Sequence, residues 1–134
     1  MPRPQQFQRI ATRYLEVAQL TSAPVPEASA FCSYHAFESI GCAWIRSRGH
    51  PVTRRSSHIS KINLFVTLSR GETFRIGVAR LGIVLNSLRN KMLYPVPNGV
   101  GTFDLPERHM NARDAADLLR RVRGIVAAVD RRLP

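Results

Sequence analysis

The residues best suited to chemistry lie in Leu85-Asn86-Ser87-Leu88-Arg89-Asn90-Lys91-Met92-Leu93-Tyr94-Pro95. Arg89 offers a guanidinium fork that stays charged at any working pH, and Asn90 sets an amide beside it, so the pair can clamp a phosphate. Asn86 adds a second amide one turn earlier, and Lys91 a further cation. Tyr94 follows Arg89 by five residues, roughly 140° round a helix. Pro95 ends that helix, and its last turn could swing the phenol toward the guanidinium. The same Arg89–Asn90 pair could instead tie down the loop that follows.

Other polar groups could join this site. His35 precedes Glu38 by three residues, so both share a helix face and the carboxylate could orient the imidazole. Arg54 and Arg55 sit between His50 and His58 in a basic loop that reads as phosphate contact. The candidate catalytic set is therefore Arg89, Asn90, Tyr94 and His35, with Arg54, Arg55, Lys91 and Asn86 binding a phosphate-bearing ligand. The histidines and cysteines never fall at ligand spacings, and Gly99-Val100-Gly101 lacks the lysine and helix of a phosphate loop. No metal and no cofactor is expected.

These groups need a scaffold. Phe74, Val78, Leu81, Leu85, Leu88 and Met92 recur at alternating spacings of four and three, the seam of one long helix over about 72–94. Beside the seam run Arg75, Ala79, Gly82, Asn86, Arg89 and Leu93. Its polar members need partners, because unpaired buried polar groups are costly. The pattern predicts a first helix over about 4–20 with Phe7, Ile10, Tyr14 and Val17 inward. A second covers about 27–48 on the seam Ala30, Tyr34, Phe37, Gly41 and Trp44, stopped by Gly49-His50-Pro51. A third starts near Ser57 with Ile59, Ile62, Phe65, Val66 and Leu68 inward. Residues 96–109 read as an irregular loop wrapping back over the bundle. Asn111 caps a last helix running to about Arg132, on the seam Ala115, Leu119, Val122, Val126, Val129 and Leu133. No segment shows sustained strand alternation. The fold class is all-α: one domain, residues 1–134, a four- to five-helix up-and-down bundle.

Arg89-Asn90-Lys91-Met92-Leu93-Tyr94 resembles the motif of the HEPN (higher eukaryotes and prokaryotes nucleotide-binding) family, an Arg, a polar neighbour and a His five residues after the Arg. The helix containing Phe31-Cys32-Ser33-Tyr34-His35-Ala36-Phe37-Glu38-Ser39-Ile40 is similar to the aromatic- and Ala-rich second helix of that family. The resemblance covers roughly 28–95. It implies a small helical bundle, a homodimer bringing two copies of Arg89, Asn90 and Tyr94 near one axis, and metal-independent RNase chemistry. Tyr94 stands where the family has histidine, and a phenol with a reference pKa near 10 is a poor general base at neutral pH. Arg89 can still stabilise a phosphorane. Two outcomes stay open: an endoribonuclease acting through Arg89, or RNA binding without cleavage.

Composition agrees with an anionic partner. The chain carries 20 basic and 9 acidic residues for a net charge of +11, and only Lys61 and Lys91 are lysines. Such a charge favours nucleic acid, an acidic protein or an anionic surface. Cys32 and Cys42 lie about 15 Å apart along one predicted helix, too far for a disulfide. No membrane span and no signal-peptide core is visible, so a cytoplasmic location is expected. The leading reading is an RNA-binding HEPN-like protein of a bacterial toxin–antitoxin or defence system. One alternative is a non-catalytic module that binds an acidic partner such as a nucleotidyltransferase antitoxin. Another is a basic bundle for duplex DNA.

Overall fold

The computed structural model describes all 134 residues. Five α-helices make up the bundle: α1 Pro4–Thr21, α2 Pro26–Ser47, α3 His58–Leu68, α4 Arg75–Leu93 and α5 Ala112–Asp130. Between α4 and α5 lie two short antiparallel strands, β1 Val96–Pro97 and β2 Phe103–Asp104, and a turn of 3₁₀-helix at Pro106–Arg108. No helix is long and apolar enough to cross a membrane. The all-α class and the five-helix count follow the apolar periodicity. The loop over 96–109 is more ordered than its prolines and glycines suggest. Asn98 closes the hairpin, its side-chain amide donating to Thr102 Oγ1 at 2.6 Å.

Helix α2 is central and packs on all four other helices. Pro26 opens it, where a missing N–H costs nothing. Gly49 closes it at φ 83°, the left-handed conformation that favours glycine, with its N–H on Arg46 O at 3.0 Å. The whole expected seam of α2 is buried: Ala30, Tyr34, Phe37, Gly41 and Trp44. Phe37 meets Phe65 of α3 at 5.4 Å between ring centroids, and Trp44 donates to Leu68 O at 2.9 Å.

Small residues let α3 wedge between its neighbours. A Cβ on Gly41 would lie 2.6 Å from Phe65 Cδ2, and one on Gly82 would lie 2.8 Å from Ile62 Cγ2. These two glycines set α3 close against α2 on one side and α4 on the other. The first turn of α3 is fixed by Ser57, whose hydroxyl accepts from Ser60 N at 3.1 Å. Residues 72–74 form a turn ahead of α4, so that helix starts later than its apolar pattern suggests.

Two inward faces differ from expectation. On α1 the buried residues are Ala11 and Ala18, flanked by Phe7, Tyr14 and Leu15, while Ile10 and Val17 stay exposed. The stripe is rotated because α1 approaches α2 through its alanines, and Ser29 donates to Ala18 O at 2.7 Å. On α3, Ile59 is exposed. It lies a turn before Ile62, at the rim of the α3–α4 groove rather than in the core.

Candidate functional site

Three helices converge on one carboxylate. Glu38 and Tyr34 stand one turn apart on α2, and both are buried. His58 and Lys61 share a face of α3, three residues apart, and Arg89 comes from α4. Glu38 accepts from Tyr34 OH at 2.6 Å and from Lys61 Nζ at 2.6 Å, and its Oε2 lies 2.5 Å from His58 Nδ1. The other imidazole nitrogen, Nε2, lies 2.9 Å from an Arg89 guanidinium nitrogen.

This chain of contacts dictates the tautomer. A guanidinium can only donate, so His58 Nε2 must accept. The imidazole proton therefore sits on Nδ1 and points at Glu38. Arg89 also reaches Asn90 Oδ1 at 3.4 Å, and its Cζ stands 6.0 Å from the Tyr34 ring centroid. Its Nε is buried without a partner, an unmet donor at the polar seam between α2, α3 and α4.

Burial alone would push the Glu38 carboxyl up, but hydrogen bonds from Lys61, Tyr34 and His58 outweigh it and hold the group below the ordinary carboxylate range. Burial, reinforced by the Glu38 charge, raises the Tyr34 phenol far above its ordinary value. Glu38 is thus a fixed anion balanced by Lys61, and the Arg89 guanidinium has no carboxylate partner. Glu38 and Lys61 also line a cleft of about 490 Å³ between α1, α2 and the loop before α3, with Arg54 and Thr53 on its wall.

The candidate residues separate in space. Arg89 and Asn90 stay together, and Arg54 stands on the Glu38–Lys61 cleft. Arg55 is exposed on the same loop, its backbone N–H on Thr53 Oγ1 at 3.3 Å. Asn86 lines the groove between α3 and α4 instead of contacting Arg89. Lys91 follows Arg89 by two residues and so projects from nearly the opposite side of α4.

Tyr94 does not swing back to Arg89. Ahead of Pro95 its backbone is extended at φ −134° and ψ 149°, and its side chain is exposed. His35 is not oriented by Glu38 either: no hydrogen bond joins them. It stacks on Tyr14 at 4.9 Å and meets the Phe31 edge at 4.4 Å, an aromatic box between α1 and α2. Burial lowers its pKa. Lys61 and the His58–Glu38 pairing escaped the sequence reading. One signal was available, because His58 and Lys61 are three apart at a capped helix start and Lys61 is a rare lysine in an arginine-rich chain.

Neither a family model nor a curated protein matches the chain. Solved structures do. A protein from Thermus thermophilus, TT1696, superposes with a TM-score of 0.77 at 21% identity, covering 99% of this chain and 100% of that one. An archaeal HEPN homologue, ST0689, superposes with a TM-score of 0.70 at 17% identity, covering 100% of both. The fold is HEPN-like. At these identities the likeness is one of architecture, and it extends the resemblance from about residues 28–95 to the whole bundle.

Proposed function

We propose that this chain is an RNA-binding HEPN-like protein that works as a symmetric dimer, with Arg89 as its principal phosphate ligand. The observation that carries this reading is the Arg89 guanidinium: its charge is not matched by a carboxylate, and Glu38 is already taken by Lys61, His58 and Tyr34. A fork held by a neutral acceptor on one side and an amide on the other is prepared for a phosphate. Arg54, Arg55 and Lys91 add cationic surface around the bundle. The bacterial toxin–antitoxin or defence setting comes from the family resemblance.

The dimer is supported by the α3–α4 face. Ile59 and Ile83, 57% and 76% exposed, line a groove of about 540 Å³ together with Asn86, and Ile76, 65% exposed, lies two turns before Ile83 on α4. Apolar residues left out in this way on one face are suited to a second copy.

The test is RNA binding by fluorescence anisotropy across a salt series, comparing the wild type with Arg89→Ala and with the Arg54→Ala/Arg55→Ala double variant. A phosphate ligand lost at Arg89 weakens binding and flattens its salt dependence by about one unit of slope. Unchanged affinity in Arg89→Ala refutes the assignment. A second reading, a module for an acidic protein, is favoured by α5, where Arg113, Arg120, Arg121 and Arg123 are exposed and only Arg120 pairs on its own helix, with Asp117. Capture of one acidic protein that survives nuclease treatment supports that reading.

A further inference from the structure

We propose that His58 is the proton acceptor of a metal-independent RNA transesterification, with Glu38 as its positioning residue and Arg89 holding the scissile phosphate. The inference rests on the RNA-binding reading above and deepens it, by assigning the proton-transfer role to a residue outside the α4 motif.

Geometry selects His58 over every other candidate. Tyr94 is exposed and makes no hydrogen bond to Arg89, and His35 is boxed by Tyr14, Phe31 and Tyr34. His58 alone joins both halves of an acid–base site, with Nδ1 at 2.5 Å from Glu38 and Nε2 at 2.9 Å from Arg89. A carboxylate on Nδ1 fixes the ring and the tautomer and stabilises the imidazolium formed when Nε2 takes a proton. The His58 side chain is 36% exposed, so substrate can reach it. The charged or titratable groups facing it are Glu38, Tyr34 and His35 from α2, Lys61 from α3 and Arg89 from α4.

The contact between Arg89 and His58 Nε2 gives the site a substrate-dependent step. A phosphate taken by the guanidinium draws its N–H away from Nε2 and frees that lone pair beside the bound nucleotide. His58 Nε2 then removes the ribose 2′-hydroxyl proton, and the 2′-oxygen attacks the adjacent phosphorus. The bond from phosphorus to the 5′-oxygen breaks, and that oxygen leaves with a proton from water. The products are a 2′,3′-cyclic phosphate and a 5′-hydroxyl end, and the imidazolium returns its proton to solvent. Arg89 stabilises the charge on the phosphorane. The substrate class is single-stranded RNA, because the attacking hydroxyl must be free to line up with the leaving oxygen.

The experiment incubates the full-length protein in EDTA with a 5′-labelled single-stranded RNA, and with the same RNA carrying a 2′-deoxy nucleotide at the cut site. Wild type, His58→Gln, His58→Ala and Glu38→Gln are compared for cleavage, pH–rate profile and RNA affinity. The expected result is cyclic-phosphate product, no cut at the deoxy site, and at least about 100-fold slower cleavage by His58→Gln with affinity nearly unchanged. His58→Ala loses the acid limb of the profile and regains cleavage with added imidazole, which a purely structural residue would not show. Glu38→Gln lowers kcat with little change in KM. Wild-type cleavage that persists in His58→Gln overturns the proposal. RNA bound but never cut by the wild type overturns it too, and leaves the RNA-binding reading standing. No RNA binding at all overturns both.

Discussion

Glu38 on α2 and His58 on α3 are 20 residues apart in sequence and 2.5 Å apart in space. Because Arg89 occupies the far nitrogen of the ring, the imidazole proton lies between these two residues. In ¹⁵N-edited NMR, the neutral His58 imidazole is expected as the Nδ1–H tautomer, with Nε2 the acceptor. The Arg89→Ala variant loosens this preference, since it removes the donor that Nε2 accepts. An Nε2–H tautomer in the wild type contradicts the hydrogen-bond chain.

Glu38 satisfies three donors at once, so its removal acts on α2 and α3 directly and on α4 through His58. Glu38→Ala leaves Lys61, only 16% exposed, without its counter-charge. The expected loss is about 2–4 kcal/mol of unfolding free energy, set by breaking a largely buried pair and stranding the Tyr34 hydroxyl. Chemical denaturation measures it. A loss below about 0.5 kcal/mol, typical of a surface residue, contradicts this role.

Acid should weaken the fold in two stages. His35 has a lowered pKa in the folded chain because burial disfavours the imidazolium more than the Glu38 charge favours it. Its contribution is full above its ordinary value of 6.5 and is lost as pH falls from there toward the folded value. Glu38 is also held low, so its contribution is full above 4.5 and is lost as pH falls through its folded value. Unfolding free energy measured from pH 8 to pH 3 falls first through His35 and then through Glu38. His35→Phe keeps the aromatic box and removes the upper stage. An unchanged upper stage in that variant assigns it elsewhere.

Gly41 makes room for α3. Gly41→Ala places a methyl 2.6 Å from the Phe65 ring, which is itself buried against Phe37. The expected cost is about 1–3 kcal/mol, the usual range for overpacking a filled core. Thermal unfolding checks it, and wild-type stability shows that α3 can back away at no cost.

The α3–α4 face gives a test of assembly. Ile83→Glu puts a charge on the most exposed isoleucine of that face without touching the buried seam of α4. Light scattering coupled to size exclusion is expected to show a dimer for the wild type and a monomer for the variant, with helical content unchanged. A dimer that survives the substitution places the subunit contact on another face.

Much of the bundle is legible along the chain. The seam of α2, and that of α5 from Ala115 to Val129, are buried as their apolar periods require, and Gly49, Ser57, Pro95 and Asn111 mark helix ends through local backbone chemistry. The face of α1 is not legible that way. Alanine has little area to reveal, so Ala11 and Ala18 give a weak apolar signal although they are the fully buried residues of α1.

The site divides along the same line. The Arg89–Asn90 pair is a local arrangement, two neighbours on one helix, and can be read directly from residue order. So can the helical class, the basic charge and the HEPN resemblance. The partnership of Glu38, His58, Lys61 and Arg89 exists only once the chain has folded. Its members come from three helices, and the packing of Gly41 on Phe65 and Gly82 on Ile62 sets how near those helices come. A carboxylate can be claimed by any donor within reach. Sequence spacing offered His35, three residues away on the same helix. Packing enclosed His35 among aromatic rings and brought His58 and Lys61 to Glu38 instead, because a buried charge is stable only where its hydrogen bonds are met.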